Sequence, residues 1–293
     1  MQIAGADTTK RERGGNNRPT VALALGGGGA RGLAHIHVLE VLDELGIRPV
    51  AVAGSSIGAI IGAALCAGMT GASLREHVTH AFVNRPQMMS RLWKLRPATL
   101  GGIAREGFRI GQVDIERAME AFLPVLPIDF GELGIPLTVV ATDFYANEEV
   151  HITEGALGSA LAASGCIPGI FRPIRREGRV LIDANITNPC PFDLVEGKAD
   201  IVIAVDVVGA PVGDPSRLPP TIDCLIGANQ IMMRAMIEEK MRVRTPDILV
   251  RSRPAPIRAL DFHRARDVLA WSAHLRDDLR AALERHGIGA VAA

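Results

Sequence analysis

Aromatic residues are scarce in this chain, since Phe, Trp and Tyr together account for 4 % of its 293 residues. Proteins that hold single-stranded nucleic acid stack the bases on aromatic side chains, and this composition argues against that class. The charge does not support it either, because 32 basic residues balance 32 acidic ones. A chain without net positive charge has no general attraction to phosphate backbones, so we expect no nucleic-acid partner.

Cysteine is also rare, and its spacing indicates neither a disulfide framework nor a metal site. No Cys-x-x-Cys pair and no neighbouring histidine pattern occurs among Cys66, Cys166, Cys190 and Cys224. Free thiols in a reducing compartment are therefore expected. The polar stretch 1–18 lacks the apolar core of a secretory signal, so we interpret it as a disordered tail on a cytoplasmic protein.

No long run rich in Leu, Ile and Phe is present, although residues 49–74 contain no charge. A bilayer-spanning helix needs roughly 20 predominantly apolar residues, and by hydropathy alone residues 50–69 could pass for one. This run is rich in Ala, Gly and Ser, however, and turn residues interrupt it early. We favour a buried strand, a turn and a close-packed helix, with the membrane span as the alternative.

The turn in that run is Gly-Ser-Ser-Ile-Gly at residues 54–58. Its Gly-x-Ser-x-Gly spacing is that of a nucleophile elbow, in which a serine on a sharp strand-to-helix turn projects its hydroxyl from the sheet edge. Small neighbours are needed because the backbones pass close together. We therefore predict Ser56 as a nucleophile; the alternative is a serine that only caps the helix beginning at Ile57.

A second glycine-rich turn, residues 26–32, links an apolar run of strand length to a helical pattern. It matches the Gly-x-Gly-x-x-Gly dinucleotide fingerprint, but no acidic residue for a ribose lies about 20 positions on, and no Gly-Lys-Ser/Thr follows. Dinucleotide binding is thus the weaker alternative, and an NTP-binding loop is excluded. Since such a loop aims backbone N–H groups at one point, we predict an oxyanion hole facing the nucleophile of the next turn.

Predicted strands and helices alternate along most of the chain, which indicates a mostly parallel sheet covered on both faces. A hydrophobic content of 48 % favours one domain over residues 19–293, with a core at 20–208 and a helical extension at 220–288. The predicted strands are 20–25, 50–53, 135–142, 149–153, 179–182, 201–207 and 247–250. The predicted helices are 33–45, 57–67, 73–83, 112–123, 156–163, 222–241 and 261–286.

Residues 84–109 differ in character, with six basic residues against one acid and with Met88, Met89, Leu92 and Trp93 among them. Basic and apolar side chains together suit contact with an anionic lipid surface. Two interpretations stay open: a solvated connection, or a lid that brings the protein to the inner membrane surface as a peripheral protein.

Four motifs occur in one order: Gly-Gly-Gly-Gly-Ala-Arg-Gly at 26–32, Gly-Ser-Ser-Ile-Gly at 54–58, Ala-Ser-Gly-Cys-Ile-Pro-Gly-Ile-Phe at 163–171 and Leu-Ile-Asp at 181–183. Together they resemble the patatin-like phospholipase family. The likeness extends from Val21 to Val208, and the remainder to His286 is similar to that of short bacterial members. Each motif alone would be weak evidence for the family, whereas four motifs in this order make the resemblance specific.

The resemblance implies a three-layer α/β/α sandwich with a mostly parallel central sheet. It implies hydrolysis of acyl esters of phospholipids, lysophospholipids or neutral lipids, without a metal or an organic cofactor. Ser56 would be the nucleophile and Asp183 the base of a catalytic dyad. Backbone amides of Gly27, Gly28 and Gly29 would form the oxyanion hole.

Two departures from the family's pattern concern the base and the loop. The base is usually followed by Gly-Gly or Gly-Ala, whereas Ala184 and Asn185 follow Asp183 in this chain. An alanine at positive φ would be strained, so we expect a slightly different loop. Gly26 stands where the family has an aspartate. Asp183 could instead cap the strand end or join a salt bridge.

Arg31 and His263 each have two interpretations. Arg31 matches the family's loop arginine and would bind substrate, or else it pairs structurally with a carboxylate. The order Ser56, Asp183, His263 would suit an α/β-hydrolase triad. Against that triad, His263 opens a predicted polar helix rather than a loop after a strand. The first helix carries two further histidines at different angles, His35 and His37, and we expect neither to be catalytic.

These residues favour a serine esterase that acts on lipid acyl esters through an acyl-enzyme. Because the carboxylate must be ionised to accept the serine proton, activity should fall as Asp183 becomes protonated. Two alternatives remain: an acyltransferase on the same scaffold, and a catalytically impaired regulatory protein at a lipid surface.

Overall fold

A computed structural model describes residues 18–83, 115–116, 119, 126–254 and 256–289. The predicted tail 1–18, apart from its last residue, and the basic segment 84–109 lie outside these residues. Most of the predicted helix 112–123 lies outside them as well.

The centre of the molecule is an eight-stranded sheet with the order β5-β6-β3-β2-β1-β7-β8, and β4 also pairs with β3. Its middle strands, from β3 through β2, β1 and β7 to β8, pair in parallel, whereas β4, β5 and β6 join antiparallel. The strands are β1 Val21–Leu25, β2 Ala51–Ser55, β3 Leu137–Asp143, β4 Glu148–Ile152, β5 Ile174–Arg176, β6 Arg179–Ile182, β7 Ile201–Asp206 and β8 Ile248–Arg251.

The helices lie on both faces of this sheet, as the alternating pattern predicted. They are α1 His35–Glu44, α2 Ile57–Cys66 and α3 Gly71–Val83, followed by Leu157–Ser164, Thr221–Val243, Ala265–Trp271 and His274–Arg285. Short 3-10 turns occupy Gly29–Ala34, Phe130–Glu132, Ala184–Ile186, Phe192–Leu194 and Phe262–Arg264.

Strand β1 shows why two helical layers form. Its large side chains, such as Leu23 and Leu25, belong to the core packed beneath most of the helices. Its alanines, Ala22 and Ala24, face a second and smaller core that contains side chains of the helix Thr221–Val243. Because successive residues of a strand point to opposite faces, this one strand contributes to both cores. The three-layer α/β/α sandwich predicted from the sequence is confirmed.

The ends of β2 and β6 meet because both pair with β3. Strand β2 pairs with β3 as far as Val140, and β6 pairs with it from Thr142 onward. Strand β4 occupies the other edge of β3 from Val139 to Asp143. Strand β6 therefore continues along the edge that β2 leaves, and the residues that follow the two strands, Ser56 and Asp183, come together.

The helix predicted over residues 261–286 is wrong. The pattern over residues 261–286 predicted a single helix, whereas the structure has a 3-10 turn and two helices, Ala265–Trp271 and His274–Arg285. At the break, the Ser272 hydroxyl donates a hydrogen bond to the Val268 carbonyl at 2.7 Å. A serine that bonds back to its own helix competes with helix continuation. The short strand β5 was not predicted.

The residues 50–69 that resembled a membrane span form β2, the turn and α2. Among the described residues, no helix has both the length and the apolar character needed to cross a bilayer.

Candidate active site

Ser56 occupies the sharp turn between β2 and α2. Its backbone has φ 54° and ψ −123°, a conformation rare for a residue with a side chain, and such strain is concentrated at functional sites. Two glycines make the turn possible: a Cβ on Gly54 would lie 2.4 Å from the Ala59 Cα, and one on Gly58 would lie 2.1 Å from the Leu25 carbonyl oxygen. The Ser56 side chain caps no amide of α2, so the capping alternative is not supported.

The Ser56 hydroxyl donates a hydrogen bond to Asp183 Oδ2 at 2.9 Å. Both residues are buried, with 4 % and 1 % of their surface exposed. The other carboxylate oxygen, Oδ1, accepts the Asn185 backbone N–H at 2.8 Å and so caps the turn Ala184–Ile186. Asp183 thus does cap the strand end, but its second oxygen faces the serine. Among the described residues it forms no ion pair.

Burial sets the protonation of the Asp183 carboxyl group. Removal from water raises its pKa from the ordinary 3.8 to about 7, because the ionised form loses its hydration. The Asn185 backbone N–H and the Ser56 hydroxyl, which both donate hydrogen bonds to the carboxylate, oppose this rise. A carboxyl group with this pKa changes charge near neutral pH.

Two side chains that the sequence analysis did not select hold Ser56 and Asp183 in place. The Ser164 hydroxyl accepts the Ser56 backbone N–H at 2.8 Å, and the Thr142 hydroxyl donates to the Asp183 carbonyl at 3.0 Å. The Asp183 N–H in turn donates to the Cys166 carbonyl at 3.1 Å. Ser164 and Cys166 belong to the motif at 163–171, which was the available signal.

The glycine loop requires one correction. The Gly27 amide was expected in the oxyanion hole, but it donates to the Pro189 carbonyl at 2.9 Å and is already occupied. No hydrogen bond within the described part of the chain uses the amides of Gly28 or Gly29. These two donors are available for a developing negative charge, and Gly27 contributes space instead.

Neighbouring elements fix the two ends of this loop. The Gly26 amide donates to the Val205 carbonyl at 2.9 Å, and the Ala30 amide donates to the Ala259 carbonyl at 2.7 Å. His35 Nε2 lies 2.8 Å from the Gly26 carbonyl, which can only accept, so the neutral ring carries its proton on Nε2. Burial lowers the pKa of His35 to about 4, in agreement with a structural role.

Arg31 is buried, with 5 % of its surface exposed. Its Nη1 donates to the Ile257 carbonyl at 2.8 Å, and Gln230, with its amide oxygen turned toward the guanidinium, accepts from Nη2. Burial lowers its pKa to about 10, and the charge of Asp261 partly opposes this effect. These contacts favour a structural role, although the partners are amide oxygens rather than the carboxylate that was considered.

His263 does not join Ser56 and Asp183. It lies in the turn Phe262–Arg264 with its side chain exposed, and no hydrogen bond among the described residues links it to either member of the dyad. The triad alternative therefore has no geometric support. His37 is likewise accounted for, because its Nε2 lies 2.8 Å from the Leu269 carbonyl.

All four cysteines are free thiols, and Cys224 alone among them is exposed. Burial and the nearby Asp183 carboxylate raise the pKa of Cys166 to about 12, so this thiol is not a competing nucleophile. Within the described ranges, no three His, Cys, Asp or Glu side chains converge as a metal site would require.

Sequence comparisons place this arrangement among known proteins. The family model described as patatin-like phospholipase matches residues 23–195. An NTE family protein of Mycobacterium tuberculosis is 37 % identical over 211 residues, which is 71 % of this chain and 54 % of that protein. The human patatin-like phospholipase domain-containing protein 6 is 28 % identical over 193 residues, or 64 % of this chain and 13 % of that protein. The chain thus spans about half the length of the mycobacterial relative.

A comparison with solved structures finds a protein of similar fold. The crystal structure of VipD from Legionella pneumophila matches with a TM-score of 0.52 and 15 % identity, over 91 % of this chain and 67 % of that one. At this level of identity the likeness shows a shared fold.

Proposed function

Because the chain belongs to the patatin-like phospholipase family, we propose that it is a lipid acyl hydrolase with Ser56 as nucleophile and Asp183 as general base. The observation that carries the proposal is the 2.9 Å hydrogen bond from the Ser56 hydroxyl to Asp183 Oδ2 in a buried site. Serine is a weak nucleophile until a base accepts its proton, and this contact supplies the base. The substrates would be acyl esters of phospholipids, lysophospholipids or neutral lipids.

In the first half-reaction, Ser56 Oγ attacks the ester carbonyl carbon while its proton passes to Asp183 Oδ2. The carbonyl oxygen becomes an oxyanion, which the amides of Gly28 and Gly29 would stabilise. The amide of Ile57, which follows Ser56 at the start of α2, would add a third donor. The C–O bond to the leaving alcohol then breaks, and Asp183 returns the proton to the leaving oxygen.

In the second half-reaction, a water molecule attacks the acyl-enzyme carbonyl and gives its proton to Asp183. The second tetrahedral species collapses, the fatty acid leaves, and the proton returns to Ser56 Oγ. One residue therefore acts in turn as base and acid, which is most efficient when its pKa lies near the working pH. The pKa of about 7 for Asp183 supports this assignment.

The test is labelling with a fluorophosphonate probe together with hydrolysis of a phospholipid, a lysophospholipid and a neutral ester. We expect the wild type to label and to hydrolyse at least one ester, and Ser56→Ala to do neither. Asp183→Asn should lose most of both, whereas His263→Ala should keep both. Ser159→Ala is a matched control for activity, because Ser159 lies on the helix Leu157–Ser164 and its hydroxyl bonds the Ala156 carbonyl and the Arg176 guanidinium rather than Ser56 or Asp183.

Three outcomes would change the proposal. A wild type that neither labels nor hydrolyses would leave the regulatory alternative in its place. Labelling combined with acyl transfer to an added alcohol, in preference to water, would make the protein an acyltransferase. Loss of turnover in His263→Ala would replace the dyad by a triad.

A further inference from the structure

The turn Gly-Ser-Ser-Ile-Gly at 54–58 contains two serines, and the two half-reactions above use only the second of them. The first, Ser55, is the last residue of β2 and is fully buried. Its hydroxyl donates a hydrogen bond of 2.6 Å to the backbone carbonyl of Asn188. Ser55 therefore joins the strand end that carries Ser56 to the chain segment that follows Asp183.

The alternation of side chains along β2 explains where the Ser55 hydroxyl lies. Ala51 and Ala53 belong to the smaller core, on the face that the helix Thr221–Val243 covers. Because every second residue of a strand points to the same face, Ser55 continues the row of Ala51 and Ala53. A third alanine would fit this row by size. The serine adds a hydrogen-bond donor to it, and the Asn188 carbonyl accepts that bond.

Asn188 connects this hydrogen bond to the turn that carries Asp183. Its backbone N–H donates to the Ala184 carbonyl at 2.9 Å, and Ala184 directly follows Asp183 in the chain. Ser55, Asn188 and Ala184 are all fully buried. Within the described part of the chain, the Asn188 carbonyl accepts no hydrogen bond other than the one from Ser55. Two consecutive hydrogen bonds thus lead from β2 to the turn after Asp183, and the first depends on Ser55 alone.

The side chain of Asn188 fixes the position of that carbonyl. Its Oδ1 accepts a hydrogen bond from Lys240 Nζ at 2.6 Å. Its Nδ2 donates to Glu149 Oε1 at 2.9 Å and to Asp193 Oδ1 at 3.2 Å. A buried carboxamide with partners at both ends is rigid. The acceptor that Ser55 contacts is therefore held in place by three other segments of the chain.

We propose that Ser55 is a positioning residue, whose hydrogen bond to the Asn188 carbonyl fixes the separation between Ser56 Oγ and Asp183 Oδ2. The inference rests on the proposed function, since it assigns a task in the transfer of the Ser56 proton. Ser56 and Asp183 follow different strands, β2 and β6, and each of these strands pairs with β3 rather than with the other. The bond from Ser55 adds a direct link between the two segments that does not involve the reacting atoms.

Proton transfer depends on that separation. The Ser56 hydroxyl lies 2.9 Å from the Asp183 carboxylate, and a misplacement of about 1 Å can lower a rate about a hundredfold. With alanine at position 55, the Asn188 carbonyl would be buried and unpaired, so the segment after Asp183 would move to find another donor. Because Ser55 is fully buried, a substrate does not contact it. Its loss therefore affects the chemical step rather than substrate binding.

The experiment compares Ser55→Ala, Ser55→Cys and Ser55→Thr with the wild type in steady-state ester hydrolysis and in the rate of fluorophosphonate labelling. In Ser55→Ala we expect kcat and the labelling rate to fall by between about tenfold and a hundredfold, with KM little changed. Ser55→Cys fills the site with a much weaker donor, so its kcat should fall as well although the packing is kept. Ser55→Thr keeps the hydroxyl on a residue that strands favour and should restore most of kcat.

Ser272→Ala is the matched control, because it also removes a buried serine hydroxyl that donates to a backbone carbonyl. Ser272 has 2 % of its surface exposed, and its hydroxyl donates to the Val268 carbonyl at 2.7 Å. No hydrogen bond among the described residues links it to Ser56 or Asp183. Its kcat should match the wild type even if its melting temperature falls.

The outcomes separate positioning from a purely structural role. Wild-type kcat in a folded Ser55→Ala or Ser55→Cys protein would overturn the inference, and Ser55→Cys decides the matter if Ser55→Ala does not fold. A rise in KM at unchanged kcat would also overturn it, as would a Ser55→Thr protein no more active than Ser55→Ala. Each of these results leaves the proposed function standing, whereas a wild type that neither labels nor hydrolyses overturns the proposed function itself.

Discussion

The backbone amide of Ser56 donates a hydrogen bond to the side-chain oxygen of Ser164 at 2.8 Å. Ser164 is the last residue of the helix Leu157–Ser164 and is fully buried. The bond links this helix to the strained turn that carries Ser56. Strained backbone persists only where the surrounding structure holds it, and Ser164 is part of that support.

Replacement of Ser164 by alanine should therefore affect catalysis and stability together. The Ser56 N–H would be left buried and unpaired, at a cost of about 1–3 kcal/mol in the free energy of unfolding. A displaced nucleophile should lower kcat by about tenfold or more. Chemical denaturation and steady-state kinetics measure the two effects, with Ser159→Ala as the control for kcat on the same helix. Wild-type kcat in a folded Ser164→Ala protein would contradict the role assigned to this bond.

The activity should depend on pH through Asp183. Its pKa of about 7 means that the carboxylate is ionised above that pH and protonated below it. Since only the ionised form accepts the Ser56 proton, kcat/KM should rise with pH through an acid limb near 7 and then level off. Stopped assays between pH 5 and 9 on the wild type provide the measurement. A flat profile over this range would exclude Asp183 as the base.

The same group should make the protein less stable as pH rises. Between the ordinary pKa of 3.8 and the folded value of about 7, the native state binds more protons at Asp183 than the unfolded state does. Stability from this group is therefore present at low pH and is lost as pH rises through that window. Asp183→Asn removes the effect, so its advantage over the wild type should grow between pH 4 and 8, by at most about 4 kcal/mol.

Urea denaturation of both proteins across that range measures the difference. Ser56→Ala is a useful companion, because it removes the hydroxyl but keeps the carboxylate buried. Because it loses the Ser56 hydrogen bond that lowers the pKa of Asp183, its stability should fall with rising pH at least as much as that of the wild type, over a window that extends to higher pH. Stability curves of Asp183→Asn and wild type that run parallel would show that burial does not raise the pKa of Asp183.

The layers of the fold and the turn that carries Ser56 could be predicted because local signals determine them. The apolar runs at β1 and β2 and the glycine-flanked Ser56 specify strand, turn and helix without reference to distant residues. Asp183 was reached only through the resemblance, since its approach to Ser56 depends on β6 taking the edge of β3 that β2 leaves. No pattern within 179–182 encodes that pairing.

The details that could not be predicted are long-range backbone contacts. Whether the Gly27 amide is free depends on Pro189, more than a hundred residues away in the chain, whose carbonyl happens to accept it. The break at Ser272 is similar, because a hydroxyl that bonds to its own helix leaves the helical pattern of apolar residues intact. A motif can identify a loop as glycine-rich without showing which of its amides are already bonded.

Close packing at the turn between β2 and α2 predicts the effect of a substitution at Gly58. A Cβ on Gly58 would lie 2.1 Å from the Leu25 carbonyl oxygen and 2.7 Å from that of Gly26, so α2 would have to move away from the loop. Gly58→Ala should destabilise the fold by several kcal/mol, of the order seen for severe overpacking, roughly 3 or more. Gly158→Ala is the matched control, because a Cβ there meets nothing within 4 Å. Thermal unfolding should separate the two clearly, and equal melting temperatures would contradict the packing argument.

Arg31 provides the last prediction, which separates its two interpretations. The guanidinium holds the segment at Ile257 against the loop through its bonds to that carbonyl and to the Gln230 amide oxygen. A lysine keeps the charge but cannot make both bonds in the same geometry, so Arg31→Lys should lower the free energy of unfolding by about 2 kcal/mol. Arg217→Lys is the control, since Arg217 lies in an exposed loop 3.7 Å from Asp214 and should behave like the wild type.

Steady-state kinetics distinguish a structural role of Arg31 from a role in substrate binding. If the residue only holds the loop, Arg31→Lys should change KM by the same factor for phosphate-bearing and neutral esters, because no substrate phosphate contacts it. A substrate ligand would raise KM selectively for the phosphate-bearing esters, with little loss of stability. Since 5 % of Arg31 is exposed and its terminal nitrogens contact protein oxygens, we expect the uniform result. A selective rise in KM would return Arg31 to the substrate site.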